Sequence, residues 1–342
     1  MKYILLVLVV LKSHLAYCQT NYNYLLNNHI ITNIENNYPG YKAKVDAKPI
    51  YYNFIKHLTT KDSITSYSDL LYKAKLYISF FEEKHLYLVE QTTRDDEHKK
   101  HERQAGSQQF DGFEFKAIDK DFSYLKIQSF DKFYENEIVR IIAKNYKSIR
   151  KRKYLIIDLR DNVGGDWDCI VPLTLFFRPS LFSDIQLELF MSKDNIEAYN
   201  KKYSVSIDND VTKVVSTISK ESPFTIKRFL GIRSSHPFKK PKHIGLLVNE
   251  NTGSSAEIMT LYAKQSIKVK IFGSITAGAV NYVDVIEKPV IANKLYIAMP
   301  LQTNLSLNQN DVDAGGITPD FLLNKSDDFL LQTISIMKHW KD

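Results

Sequence analysis

Two short apolar runs, each ending in a polar turn that carries glycine, constrain this chain more than any other feature. Leu155-Ile156-Ile157-Asp158-Leu159 leads into Arg160-Asp161-Asn162-Val163-Gly164-Gly165-Asp166, and Ile244 to Val248 leads into Asn249-Glu250-Asn251-Thr252-Gly253-Ser254-Ser255. Apolar runs this short are strand length, and helical periodicity lies beside both. Ile138, Val139, Ile141, Ile142 and Tyr146 share one face between Asn136 and Ile149, while Ser254 to Gln265 precedes a further strand, Val269 to Phe272. Alternating strands and helices predict an α/β core with parallel strand pairs.

The flanking sequence is of other kinds. Met1 to Thr20 has a basic start, an apolar run from Tyr3 to Leu11 and a polar stretch ending at Cys18, the layout of a secretory leader. That run is far short of the ~20 residues of a membrane-spanning helix, so export is expected, to the periplasm or the medium, in preference to a membrane span. Tyr17 is large where a lipoprotein box wants a small residue, so a lipid anchor ranks second. From Asn21 to Leu88, Leu25, Leu26, Ile30, Ile34 and then Leu70, Leu71, Ala74, Ile78 and Phe81 recur at helical spacing. A helix from about Ser68 to Glu83 would end before a strand at Leu86–Val89, leaving His85 at the junction.

The 342 residues therefore divide into a leader (1–18), a helical domain with linker (19–108) and a catalytic-sized α/β domain (109–342). Loss of Lys2 and Lys12 with the leader lowers the formal charge from +7 to +5. The basic piece Lys239-Lys240-Pro241-Lys242 has no interleaved aromatics, so a nucleic-acid partner is not expected. His98 and His101 lie in a polar stretch without Cys or carboxylate order, which reads as a solvated linker; no metal or organic cofactor is implied. Of the two cysteines, Cys18 would leave with the leader and Cys169 would stay as a buried thiol.

The chemistry resides in the two turns. Gly164-Gly165 lets backbone N–H groups approach a ligand closely, although Asp158 and Arg160 beside it also suit a structural ion pair. Ser254-x-x-Glu257 taken alone is a capping box. Its alternative is a nucleophile at a helix N-terminus, where the helix dipole favours a developing oxyanion.

Taken in order, Asp-Leu-Arg-x-Asn-x-Gly-Gly, Thr252-x-Ser254-x-Ala256-Glu257, Phe272-Gly273-Ser274-Ile275-Thr276-Ala277-Gly278 and Ala314-Gly315-Gly316-Ile317-Thr318-Pro319-Asp320 resemble the S41 serine peptidases, the C-terminal processing or tail-specific proteases and their tricorn-core relatives. The resemblance runs over about Phe122 to Phe321 and implies a crotonase-like ββα core behind a small helical domain. It also implies that Ser254 is the nucleophile and that the amides of Gly164, Gly165 and Ser255 supply the oxyanion hole. Processing proteases of this family carry a Lys after Thr-x-Gly, whereas Ala279, Val280, Asn281 and Tyr282 stand here. The tricorn-like branch uses a His on an early core strand with a downstream Glu. Alignment by motif puts Lys126 in the place of that His and Asp313 near the Glu. Lys126 is thus the expected base, provided burial lowers its pKa from ~10.4.

Only about 30 residues separate Val89 from Lys120, too few for a PDZ module, so substrate tails would be gripped by the catalytic domain, through Ser180 to Lys242. The reading is an exported serine endopeptidase acting on peptides or proteins. The alternative is a degenerate relative that binds peptides or cell-envelope material without cutting, and the leader argues against the CoA thioester chemistry of crotonases.

Overall fold

The computed structural model describes residues 21–91, 112–177, 187–203, 224–226, 238–307 and 312–340. The leader, the His98/His101 linker, the expected boundary at 108/109 and most of Ser180 to Lys242 lie outside these residues.

The N-terminal region is helical, as its periodicity predicts. A π-helical run, Leu25–Ile31, continues into α1 (Thr32–Asn37), followed by α2 (Tyr41–Ala47), α3 (Pro49–Thr60) and α4 (Tyr67–Ser79). The Ser66 side chain accepts the Asp69 amide to start α4. The helix stops earlier than expected because Glu82 takes φ 47°, a left-handed conformation that breaks the run. Glu83-Lys84-His85 therefore forms a turn that feeds β1 (Tyr87–Glu90).

The sequence-predicted α/β core is a six-stranded sheet. In chain order its strands are β2 (Phe113–Ala117), β3 (Phe122–Ile127), β4 (Tyr154–Asp158), β7 (His243–Val248), β8 (Val269–Gly273) and β11 (Phe321–Leu322). Their spatial order is β11-β8-β7-β4-β3-β2, all parallel except the β2 edge. A second, antiparallel sheet joins β1, β5 (Leu187–Leu189), β6 (Phe224–Ile226), β9 (Tyr282–Ile291) and β10 (Leu295–Asn304).

Strand alternation sorts the main sheet into two faces. Leu125, Ile127, Leu155, Ile157, Ile244, Leu246 and Val248 pack under α5 (Glu135–Ile149) and under α7 (Ser255–Lys264), through Ala256, Met259 and Ala263. Phe122, Tyr124, Ile156, Leu247 and Phe272 face the other way, against Met337 of the C-terminal helix α8 (Phe329–Lys338). The short helix predicted near Asn195 is α6 (Lys193–Tyr203). The helical region does not close its core alone: Leu26, Ile30, Tyr38, Tyr77 and Phe81 pack with Val290, Leu295, Ile297 and Met299 of β9 and β10. This shared core, with β1 paired to β10, brings the turn at Glu83–His85 to the start of β9.

Candidate active site

The two sequence turns meet at the carboxyl ends of β4 and β7. The Thr252 hydroxyl donates to the Leu159 carbonyl at 2.9 Å, and the Gly253 amide donates to the Asn162 carbonyl at 3.0 Å. The Asp161 carboxylate accepts from the side-chain amides of Asn249 and Asn251 at 2.8 and 2.9 Å, and those bonds hold its carboxyl below the usual range. Both loops are thereby fixed as one unit. Asp158 and Arg160 do form the ion pair that their spacing suggests, buried on the Asp158 side.

Ser254 precedes α7 with φ 52° and ψ −122°. A non-glycine residue held there stores roughly 1–3 kcal/mol of strain, so something must hold it. Glu257 does. Its Oε2 accepts the amides of Ser254 at 3.0 Å and Ala279 at 2.8 Å, while its Oε1 accepts the Thr276 hydroxyl at 2.5 Å and the Gly278 amide at 2.7 Å. The carboxyl is fully buried, and burial pushes its pKa up against the downward pull of these four donors. Glu257 thus makes its half of the expected capping box and in addition ties the Thr276–Ala279 segment to the Ser254 turn. Its own amide goes to the Ser254 carbonyl at 2.9 Å.

Gly164 and Gly165 have φ 102° and 141°. A Cβ on Gly164 would lie 2.7 Å from Ser254 Cβ and 2.9 Å from the Ser255 nitrogen, so only glycine allows this approach. The Gly164 amide is taken by the Asn162 side chain at 2.9 Å. Among the described residues, the Gly165 and Ser255 amides have no hydrogen-bond acceptor. The two glycines, equivalent in the sequence motif, thus differ in that only the Gly164 amide is bound to Asn162. Cys169 is a buried free thiol behind this turn, and burial pushes its pKa up to about 12.

Lys126 is not brought to Ser254. It alternates in phase with Phe122 and Tyr124, so it belongs to the α8 face of the sheet, whereas Ser254 leads into α7 on the opposite face. It lines a separate polar cavity of about 540 Å³ with Tyr124, Asp158, Arg160, Glu250 and Lys325. Motif alignment fixes the strand, but one residue of phase decides the face, and here that phase sets Lys126 on the side of the sheet away from α7.

A different imidazole reaches the segment that follows Gly278. His85 Nδ1 lies 2.7 Å from the Tyr282 carbonyl oxygen, four residues beyond Gly278. Burial lowers its pKa, while the Tyr282 carbonyl and Asp313 work in the other direction. Asp313 Oδ1 accepts the amides of Val280 and Asn281 at 2.6 and 2.9 Å. His85, Asp313 and Glu257 therefore all grip one segment, Thr276 to Tyr282. The signal available in the sequence was a single His at a helix-to-strand junction, with no motif around it. No hydrogen bond joins His85, or any other His, Lys or carboxylate side chain among the described residues, to the Ser254 hydroxyl. Among those residues no group of three or more His, Cys, Asp or Glu side chains is arranged to hold a metal, and no helix is long and apolar enough to cross a membrane.

Similarity to known structures extends over most of the chain. A lipoprotein from Streptococcus agalactiae superposes with TM-score 0.57 at 17% identity, covering 94% of this chain and 97% of its own. A putative peptidase from Parabacteroides merdae gives TM-score 0.60 at 14% identity, covering 95% and 98%. The photosystem II D1 C-terminal processing protease gives 0.51 at 10%, covering 90% and 94%. These likenesses show the shared fold, an α/β core with a helical N-terminal region. No curated protein matches in sequence. Residues 121–323, more than half of the chain and the part that holds both turns, match the sequence pattern of peptidase family S41, and the chain belongs to that family.

Proposed function

We propose that this protein is an exported serine endopeptidase in which Ser254 is the nucleophile and the amides of Gly165 and Ser255 bind the oxyanion. The observation that carries the reading is the strained Ser254 backbone, held by Glu257 against Gly164, with two acceptor-free amides alongside. Gly164 serves the hole by shape, since its own amide is bound to Asn162.

The proton of Ser254 goes to His85. With Nδ1 carrying its hydrogen toward the Tyr282 carbonyl, Nε2 keeps a lone pair, and burial favours the neutral ring that a base needs. Asp313 supports the imidazolium as it forms, in the role the tricorn-like resemblance gives its downstream carboxylate. The step requires Nε2 to come within hydrogen-bond reach of Ser254 Oγ when substrate is bound. Ser254 Oγ adds to the peptide carbonyl, the oxyanion forms at the two amides, and His85 passes the proton to the departing amine. Water, activated by His85, then releases the acyl group and restores Ser254.

Replacement Ser254→Ala should abolish both peptide cleavage and labelling by a fluorophosphonate, with the circular dichroism spectrum unchanged. Undiminished cleavage in that variant overturns the reading. Peptide binding by wild type without cleavage or labelling would instead support the degenerate binding protein, which the missing contact between Ser254 and a base favours. The leader supports export, and processing near Cys18 is checked by the N-terminal sequence of the mature protein.

A further inference from the structure

Glu83 precedes His85 by two residues, and its side chain is completely buried. Oε1 accepts the His85 backbone amide at 3.0 Å, and Oε2 accepts the Tyr38 hydroxyl at 3.3 Å. The Lys44 ammonium stands 3.9 Å away, and the His85 ring nitrogen 3.8 Å away. Tyr282 closes this space, its ring 5.3 Å from that of Tyr38. The Asp313 charge acts on both Glu83 and His85, and its buried Oδ2 has no hydrogen-bond partner. Buried Glu83, the half-buried His85 imidazole and the Asp313 carboxyl thus interact where the N-terminal helical region meets the α/β core.

We propose that Glu83 is a positioning residue for the peptidase reaction, anchoring the His85 backbone and, together with Asp313, placing negative charge beside the imidazole. This rests on the reading of His85 as the base. The physical logic is that a completely buried carboxyl with a second negative charge facing it ionises only at a cost, so Glu83 keeps its proton into the neutral range. Burial and the Asp313 charge together push Glu83 up to about 7, against its bonds to His85 and Tyr38 and the Lys44 charge. Tyr38, Lys44, His85, Tyr282 and Asp313 are the ionisable groups facing it, and Lys84 opposes protonation of His85 from the flank. Above about 7, anionic Glu83 stabilises the imidazolium as it forms; below, the neutral acid contributes only its hydrogen bonds.

The test is the rate of Ser254 labelling by a fluorophosphonate from pH 5 to 9, resolved into kinact and KI, on the full mature chain. Wild type should rise in two steps, one below 6.5 for His85 and one at about 7 for Glu83. Glu83→Gln retains an acceptor for the His85 amide and loses the charge. It should lose the upper step and lower kinact about tenfold at pH 8, the worth of one pKa unit at the base, with KI within twofold. Tyr38→Phe, which removes a donor to the carboxylate, should move the upper step to higher pH. A Glu83→Gln profile that overlays wild type, or two variants that lower kinact equally at every pH, overturns the proposal. Should Glu83→Gln not fold, an unmoved upper step in Tyr38→Phe overturns it. His85→Gln distinguishes the underlying reading: wild-type labelling there removes His85 as the base, whereas loss of labelling there with a wild-type Glu83→Gln profile removes only the role of Glu83.

Discussion

Replacing Glu257 with Gln changes one carboxylate oxygen into an amide nitrogen, and the structure fixes what that costs. Oε2 serves the Ser254 and Ala279 amides, and Oε1 serves the Thr276 hydroxyl and the Gly278 amide. An NH2 group in the Oε2 position faces two N–H donors, which lose their acceptor. In the Oε1 position it faces one fixed donor, the Gly278 amide, and a hydroxyl that can turn, although Thr276 Oγ1 already accepts the Ile317 amide at 2.7 Å. Each buried donor left without an acceptor costs roughly 1–3 kcal/mol. The cheaper orientation orphans one donor and reorients Thr276, and the dearer orphans two, so Glu257→Gln should destabilise the fold by about 2–4 kcal/mol. Urea denaturation with the slope held constant measures this directly. The same change frees the turn that keeps Ser254 at positive φ, and kcat/KM should fall at least tenfold. A stability loss below ~1 kcal/mol would show that the four bonds do not carry the turn, and would refute the reasoning.

Gly165→Ala drives a Cβ into the Phe130 carbonyl and to within 2.6 Å of the Asp131 nitrogen at φ 141°, so labelling of Ser254 should fall at least 100-fold, the scale of a lost oxyanion donor; labelling within threefold of wild type would show that Gly165 does not donate. Lys126→Met should leave labelling within twofold, because Lys126 lines the cavity on the α8 face, and a tenfold loss would reinstate it. Glu83 also imposes a pH dependence on stability. Its carboxyl holds its proton up to about 7 in the folded state and only to the ordinary 4.5 when unfolded. In that window the folded state binds more protons, so this contribution favours folding in acid and is lost as pH rises through about 7. His85, with a lowered pKa, acts in the opposite sense below 6.5. Glu83→Gln should therefore gain stability relative to wild type between pH 5 and 8; identical urea midpoints relative to wild type at both pH values would exclude it.

What could be read directly was local. The apolar runs at Tyr154–Asp158 and His243–Val248 became adjacent parallel strands, and the helical spacing around Ile138 and Ile142 became α5. Ser254, the two glycines and Ser255 came together because each motif places its residues directly after its own strand, and parallel neighbours deliver their turns to the same sheet end. Helix ends were less legible. The stop of α4 depends on the backbone of Glu82, and no proline or glycine marks it.

By itself, the sequence determined the α/β alternation, the helical N-terminal region and the two turns with Ser254 and Gly164-Gly165, since these depend on neighbours a few residues apart. Tertiary structure alone decided which side chains meet from afar. It put Lys126 on the α8 face by one residue of strand phase and gave the Gly164 amide to Asn162. It also let β9 and β10 complete the helical core, so that His85 and Glu83 arrive beside Asp313, about 230 residues away in the chain. Such pairings are set by packing and burial, and no short window of residues encodes them.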